Sequence, residues 1–285
     1  MREGFVRCLS SEGFHRMAFV EWGERNNPHV LICVHGLTRN ARDFDFIAQA
    51  MADRYRVICP DIVGRGKSDW LKNKALYVTP QYCADIATLL ASLAVDTVDW
   101  LGTSMGGLIG MAIAALPGNP IRRLVLNDVG PVITAASLAR IGNYLGSPPR
   151  FDSLEDAENY IRLVSASFGP LTNAQWRHLT IHSVRQAVDG KFEFRYDPGI
   201  AKAYQQGQMM NGGRDVELWP LYDAIHCPTL LLRGEQSDLL THATAQAMTQ
   251  RGPHARLLEI PGVGHAPMLM DDAQIAPIRA FLLEN

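Results

Sequence analysis

Trp100-Leu101-Gly102-Thr103-Ser104-Met105-Gly106-Gly107 is the stretch on which the reading of this chain turns. A short apolar run from Val98 to Leu101 leads into it, and an uncharged run with helix-forming character, Gly106 to Leu116, leads out. A strand that bends sharply into a helix must hold its turn residue in a strained conformation, with close neighbours that lack side chains. Gly102 and Gly106 fill those neighbouring places, and the turn lifts the Ser104 hydroxyl clear of a sheet edge. A tight turn by itself needs glycine but no serine, so the hydroxyl points to nucleophilic chemistry.

Working outward, His29 to His35 is a continuous β-branched and aliphatic run, as expected of a strand covered on both faces, and Tyr55 to Cys59 is another. Between the strands lie helical patterns. Phe44, Ile47, Ala48 and Met51 recur at helical spacing, and Thr79-Pro80 opens a run through Tyr82, Ile86, Leu89, Leu90 and Leu93. Strands alternating with helices indicate right-handed βαβ units and a parallel sheet. Ahead of them, Phe5 to Ser10 and Phe14 to Trp22 flank Glu12-Gly13 as an antiparallel hairpin.

The alternation runs on through a strand at Ile121 to Asn127 and then stops. From Pro131 to about Pro220 the pattern is amphipathic helix, at Leu154 to Phe168, Ala174 to Val188 and Ile200 to Met209, with one short strand-like piece at Lys191 to Tyr196. The rhythm resumes with a strand at Thr229 to Arg233, a helix at Ala243 to Arg251, a strand at Arg256 to Ile260 and a closing helix at Ala273 to Leu283. The expected organisation is an α/β core of residues 1–130 and 221–285, interrupted by a helical cap of residues 131–220.

A serine hydroxyl is a poor nucleophile at neutral pH and needs a base, which in turn needs an orienting group. His265 is the best base candidate: it sits in Pro261-Gly262-Val263-Gly264-His265-Ala266-Pro267, just past the last predicted strand. His35 competes with it, although its place before Gly36 suggests loop shaping. For the orienting carboxylate, Asp238 follows the strand Thr229 to Arg233 and is favoured over Asp128, which ends the strand before the cap; Glu235 ranks lower. Two backbone N–H groups are candidates for an oxyanion hole: that of Met105 after the nucleophile, and that of Leu37 after His35-Gly36.

Composition excludes other classes. Apolar residues make up 47% of 285 and charged residues 20%, which rules out disorder. A net charge of -2 with no long run of either sign removes the electrostatic case for nucleic acid or an anionic membrane as main partner, leaving a small neutral ligand. Trp100 to Ile121 lacks charge over a membrane-spanning length but is broken by Gly102, Gly106, Gly107, Gly110, Pro117 and Gly118. Charges within Met1 to Arg7 leave no export signal, so a cytoplasmic location is expected. Cys8, Cys33, Cys59, Cys83 and Cys227 are odd in number and unpaired in spacing, as core residues are, and His178 and His182 read as neighbours on one helix face rather than metal ligands.

Taken with Asp61-Ile62-Val63-Gly64-Arg65-Gly66-Lys67-Ser68-Asp69 after the second parallel strand, the order Ser104, Asp238, His265 resembles that of the α/β-hydrolase superfamily over nearly the whole chain. The resemblance implies an eight-stranded sheet, a helical cap between the sixth and seventh strands, and no cofactor. Ser104 stands where haloalkane dehalogenases and epoxide hydrolases carry aspartate. Ala266 stands where carbon-carbon bond hydrolases of meta-cleavage products typically carry tryptophan. Carboxylesterase is the broadest description, cleaving small or medium esters through an acyl-enzyme on Ser104. Lactonase, perhydrolase, carbon-carbon bond hydrolase and a hydrolase-fold receptor remain open, as does monomer against homodimer. Tyr144, Phe151, Phe168, Trp176 and Trp219 are candidate pocket walls more apt to be cap core, and Arg39 and Arg42 are candidate contacts for a substrate carboxylate.

Overall fold

The computed structural model describes residues 1–284, apart from the side chain of Tyr144. Eight strands form one sheet: β1 (Arg2–Ser10), β2 (Gly13–Trp22), β3 (Val30–Val34), β4 (Arg56–Pro60), β5 (Val98–Thr103), β6 (Ile121–Asn127), β7 (Thr229–Gly234) and β8 (Arg256–Ile260). Their spatial order is β1-β2-β4-β3-β5-β6-β7-β8. The hairpin β1-β2 runs antiparallel and joins β4 antiparallel, while every pairing from β4 to β8 is parallel. This is the mostly parallel eight-stranded sheet that the sequence implied.

Alternation along β3 shows why the sheet is buried on both faces. Val30, Ile32 and Val34 join one apolar layer, with Ile86 and Leu89 of α2 (Thr79–Leu93) and Ile109 of α3 (Met105–Ala114). Leu31 and Cys33 join the other. That layer holds Ile47 and Met51, whose helix α1 is Asp45–Met51, together with Ile278 and Phe281 of the closing helix Asp272–Leu282. Successive side chains on a strand point to opposite faces, so a run of consecutive aliphatic residues is the signature of this double burial.

Between β6 and β7 the chain makes its long excursion. Its longer helices are α4 (Ala135–Leu145), α5 (Leu154–Val164), α6 (Asn173–Ser183) and α7 (Ile200–Asn211). The two ends are tied together where Val132–Ile133 pairs antiparallel with Val216–Glu217. The expected helix from Ala174 to Val188 is shorter than read. It stops at Ser183 because Val184–Gln186 pairs with Phe192–Phe194 in a hairpin that turns through Gly190 at φ 85°. The helix expected to reach Phe168 likewise ends at Val164, and a 3-10 turn follows at Ala166–Phe168. Among the described residues, no helix is long and apolar enough to cross a membrane.

Candidate active site

Ser104 sits between β5 and α3 at φ 52° and ψ -115°, and its N–H donates to the Asn127 carbonyl at 3.0 Å. Positive φ is costly for a side chain larger than hydrogen, and it persists here because the surroundings over-determine it. A Cβ on Gly106 would lie 1.9 Å from the Val34 carbonyl oxygen, and one on Gly102 would lie 2.3 Å from the Gly106 backbone. Only glycine lets α3 come this close to β3 and β5.

His265 follows β8 and reaches across the sheet edge to both partners. Its Nε2 is 3.0 Å from Ser104 Oγ, and its Nδ1 is 2.7 Å from Asp128 Oδ2. One neutral tautomer serves both contacts, with Nδ1–H donating to the carboxylate and Nε2 accepting from the hydroxyl. Asp128 is fully buried directly after β6. Its Oδ1 accepts from the Gly234 N–H at 2.8 Å, and its Oδ2 also accepts from the Ser237 hydroxyl at 2.6 Å.

Asp238, favoured from the sequence as the orienting carboxylate, is not at this site. Its side chain is exposed and takes a two-point bond from Arg140, Nε to Oδ2 at 2.8 Å and Nη2 to Oδ1 at 3.0 Å. The loop after β7 turns so that Ser237 faces inward to Asp128, while Leu239 and Leu240 are buried and Asp238 is left outside. Glu235 is also elsewhere, accepting from the Gly262 N–H at 2.9 Å.

The loop after β3 runs beside Ser104, since a Cβ on Gly36 would lie 3.7 Å from Ser104 Cβ. His35 shapes that loop. It is fully buried, donates through Nδ1 to the Gly36 carbonyl at 2.7 Å, and accepts at Nε2 from the Ile62 N–H at 3.0 Å. Burial drives its pKa down to about 3, so the ring is neutral. The Gly36 carbonyl also accepts from the Arg39 N–H at 3.2 Å. Because the peptide is planar and trans, holding that carbonyl fixes the Leu37 N–H on the opposite side. Asp61 braces the loop from behind by accepting from the N–H groups of Ala41 and Lys67, each at 2.8 Å, and burial pushes its carboxyl up to about 6.

Two cavities, of about 240 and 460 Å³, meet at Ser104 and share Leu37 and Ile141 as common wall. Phe168 lines the smaller, together with Tyr160, Phe194 and Tyr196, which the sequence did not single out. Phe151 and Trp176 are packed inside the excursion, and Trp219 lies on the core beneath the Arg251 guanidinium, 4.1 Å away. Tyr144 falls outside the described side chains. Arg39 and Arg42 are held by Asp43 and Asp45 respectively. His178 lies against α1, its Nε2–H donating to the Arg42 carbonyl at 2.9 Å, and its ring meets that of His182 edge-on.

Residues 29–272 match the family described as alpha/beta hydrolase fold. The chain belongs to that family. This α/β hydrolase is 49% identical over 280 residues to a 3-hydroxybutyrate-oligomer hydrolase from Cupriavidus necator, covering 96% of this chain and 95% of the relative. It is 26% identical to a 2-(acetamidomethylene)succinate hydrolase from Mesorhizobium japonicum, over 85% of this chain and 83% of the other. Among solved structures, an alpha/beta hydrolase from Novosphingobium aromaticivorans superposes with a TM-score of 0.86 at 35% identity, covering 99% of this chain and 97% of that one.

Proposed function

We propose that this hydrolase is a serine esterase acting on short oligoesters of 3-hydroxybutyrate. The observation that carries the hydrolytic reading is the 3.0 Å contact between Ser104 Oγ and His265 Nε2, at the junction of two cavities. The substrate follows from likeness to the 49% identical relative, whose substrate is an ester of one hydroxy acid with another.

In this reading, the Ser104 oxygen attacks the ester carbonyl while its proton passes to His265 Nε2. Asp128 stabilises the imidazolium that results. The N–H groups of Leu37 and Met105 receive the developing oxyanion, each such donor contributing roughly 3 kcal/mol of transition-state stabilisation. His265 then returns the proton to the departing alcohol oxygen, and water releases the acyl group by the reverse sequence. The helical excursion acts as a cap, since Leu138, Ile141 and Ile200 wall the larger cavity and Tyr160 and Phe168 the smaller.

The test is sustained release of 3-hydroxybutyrate from its dimer and trimer, followed by chromatography. Many turnovers per chain are expected, with loss of about 10⁶ in kcat on Ser104→Ala. One equivalent released and no more would support a receptor on a hydrolase scaffold instead.

A further inference from the structure

The two cavities that meet at Ser104 differ in charge. No charged side chain is among the described residues of the larger wall, whereas the smaller wall carries Arg39, Asp43 and Arg140. Within the smaller cavity, Arg39 is already committed. Its Nε and Nη2 donate to the two Asp43 oxygens at 2.7 and 2.5 Å, and its Nη1 donates to Ser183 Oγ at 3.0 Å. Arg140 is different. Its partner, Asp238, is not on the cavity wall, and the two side chains are 46% and 58% exposed. An ion pair so open to water holds weakly, so another carboxylate can replace Asp238 at little cost. The cavity therefore offers one available guanidinium fork, whose planar set of donors fits a carboxylate at two points.

The position of His265 says which half of an ester enters here. The imidazolium must give its proton to the leaving oxygen, so the leaving half lies on the side that His265 lines. His265 is on the wall of the smaller cavity only, and Met105 on that of the larger only. The acyl half therefore extends into the uncharged cavity and the alcohol half toward Arg140.

We infer that Arg140 is the binding residue for a carboxylate on the leaving alcohol, so that the preferred leaving group is a hydroxy acid and an oligoester is shortened from its carboxylate end. This rests on the esterase reading above. In the step itself the Ser104 oxygen forms a bond to the acyl carbon, the bond from that carbon to the alkoxy oxygen breaks, and the proton taken from Ser104 passes through His265 to that oxygen. The hydroxy acid departs with its carboxylate unchanged.

The test uses the 3-hydroxybutyrate trimer with a ¹³C label in the carboxyl-end unit, alongside its methyl ester. The first monomer released is expected to carry the label. Arg140→Gln is expected to lower the ratio of kcat/KM for the free acid to that for the methyl ester by about tenfold, mainly through KM. Asp238→Asn is expected to raise the ratio, because a competing carboxylate is gone. An unlabelled first monomer overturns the inference, as does a ratio that Arg140→Gln leaves unmoved. So does a fall on both substitutions, which is what a purely structural clasp between Arg140 and Asp238 gives. Calorimetry of the free-acid trimer on the Ser104→Ala variant separates the two readings. Binding that Arg140→Gln weakens, in a protein whose parent turns over no ester, sinks the esterase and keeps the carboxylate site; absence of such binding sinks the site.

Discussion

The carboxylate of Asp128 is cut off from solvent and accepts from a backbone N–H, a hydroxyl and an imidazole. Together they fix its orientation, so the His265 ring presents Nε2 to Ser104 rather than the reverse tautomer. Asp128→Asn, which can place an amide N–H against Nδ1, is expected to lower kcat by about 10⁴ with KM little changed. Asp238→Asn is expected to stay within about tenfold on a neutral nitrophenyl ester, as suits a residue paired at the surface. Stopped-flow and steady-state assays of the two variants side by side check the assignment, and an equal loss in both overturns it. That Ser104 and His265 meet at one sheet edge was legible because each sits in a glycine-marked loop at a strand end. The choice of acid was not, since Asp128 and Asp238 both follow strands of this sheet and the direction of a loop is set by tertiary packing. The burial of Leu239 and Leu240 is what leaves Asp238 outside.

At the scale of elements, the site depends on how closely α3 lies against β3. The Trp100 indole N–H donates to the Gly106 carbonyl at 3.1 Å, beside the point where a Gly106 Cβ would meet the Val34 carbonyl. Gly106→Ala must push the helix off the strand, and it is expected to cost about 3 kcal/mol of stability and to take Ser104 out of reach of His265. Urea unfolding measures the first effect and ester turnover the second. A variant with parent stability and activity contradicts the close approach. The strands were readable from sequence as continuous aliphatic runs, since burial on both faces leaves no polar alternation to confuse them. Helix ends in the excursion were harder. The residues from Val184 to Val188 carry no glycine or proline, so only Asp189-Gly190, beyond the end of the first short strand, announces that α6 has given way to a hairpin.

For the molecule as a whole, His35 couples stability to pH. Its pKa is pushed from an ordinary 6.5 down to about 3 when folded. The unfolded chain therefore binds a proton that the native state refuses, and stability falls as pH drops through the interval between those values. From pH 6.5 to 5 this residue alone accounts for a loss of about 1.6 kcal/mol. Asp61, raised to about 6, works in the opposite sense over part of that range. Comparing the parent with His35→Gln cancels that contribution, because Asp61 is common to both. The parent is expected to lose stability more steeply on acidification, and parallel pH profiles from chemical denaturation count against it.

The antiparallel opening hairpin and the parallel run of strands that follows it could be read from the chain's rhythm. What the rhythm withheld was the pairing of Val132–Ile133 with Val216–Glu217, two residues against two, far apart in sequence. Because exit and re-entry are adjacent there, everything between them can be exchanged as a cassette. A transplant that respects this seam, shields Phe46, Met268 and Met270 where the native segment rests on them, and restores the bonds Ser167 makes to Gly264 and His265, is expected to recast selectivity on an unchanged sheet.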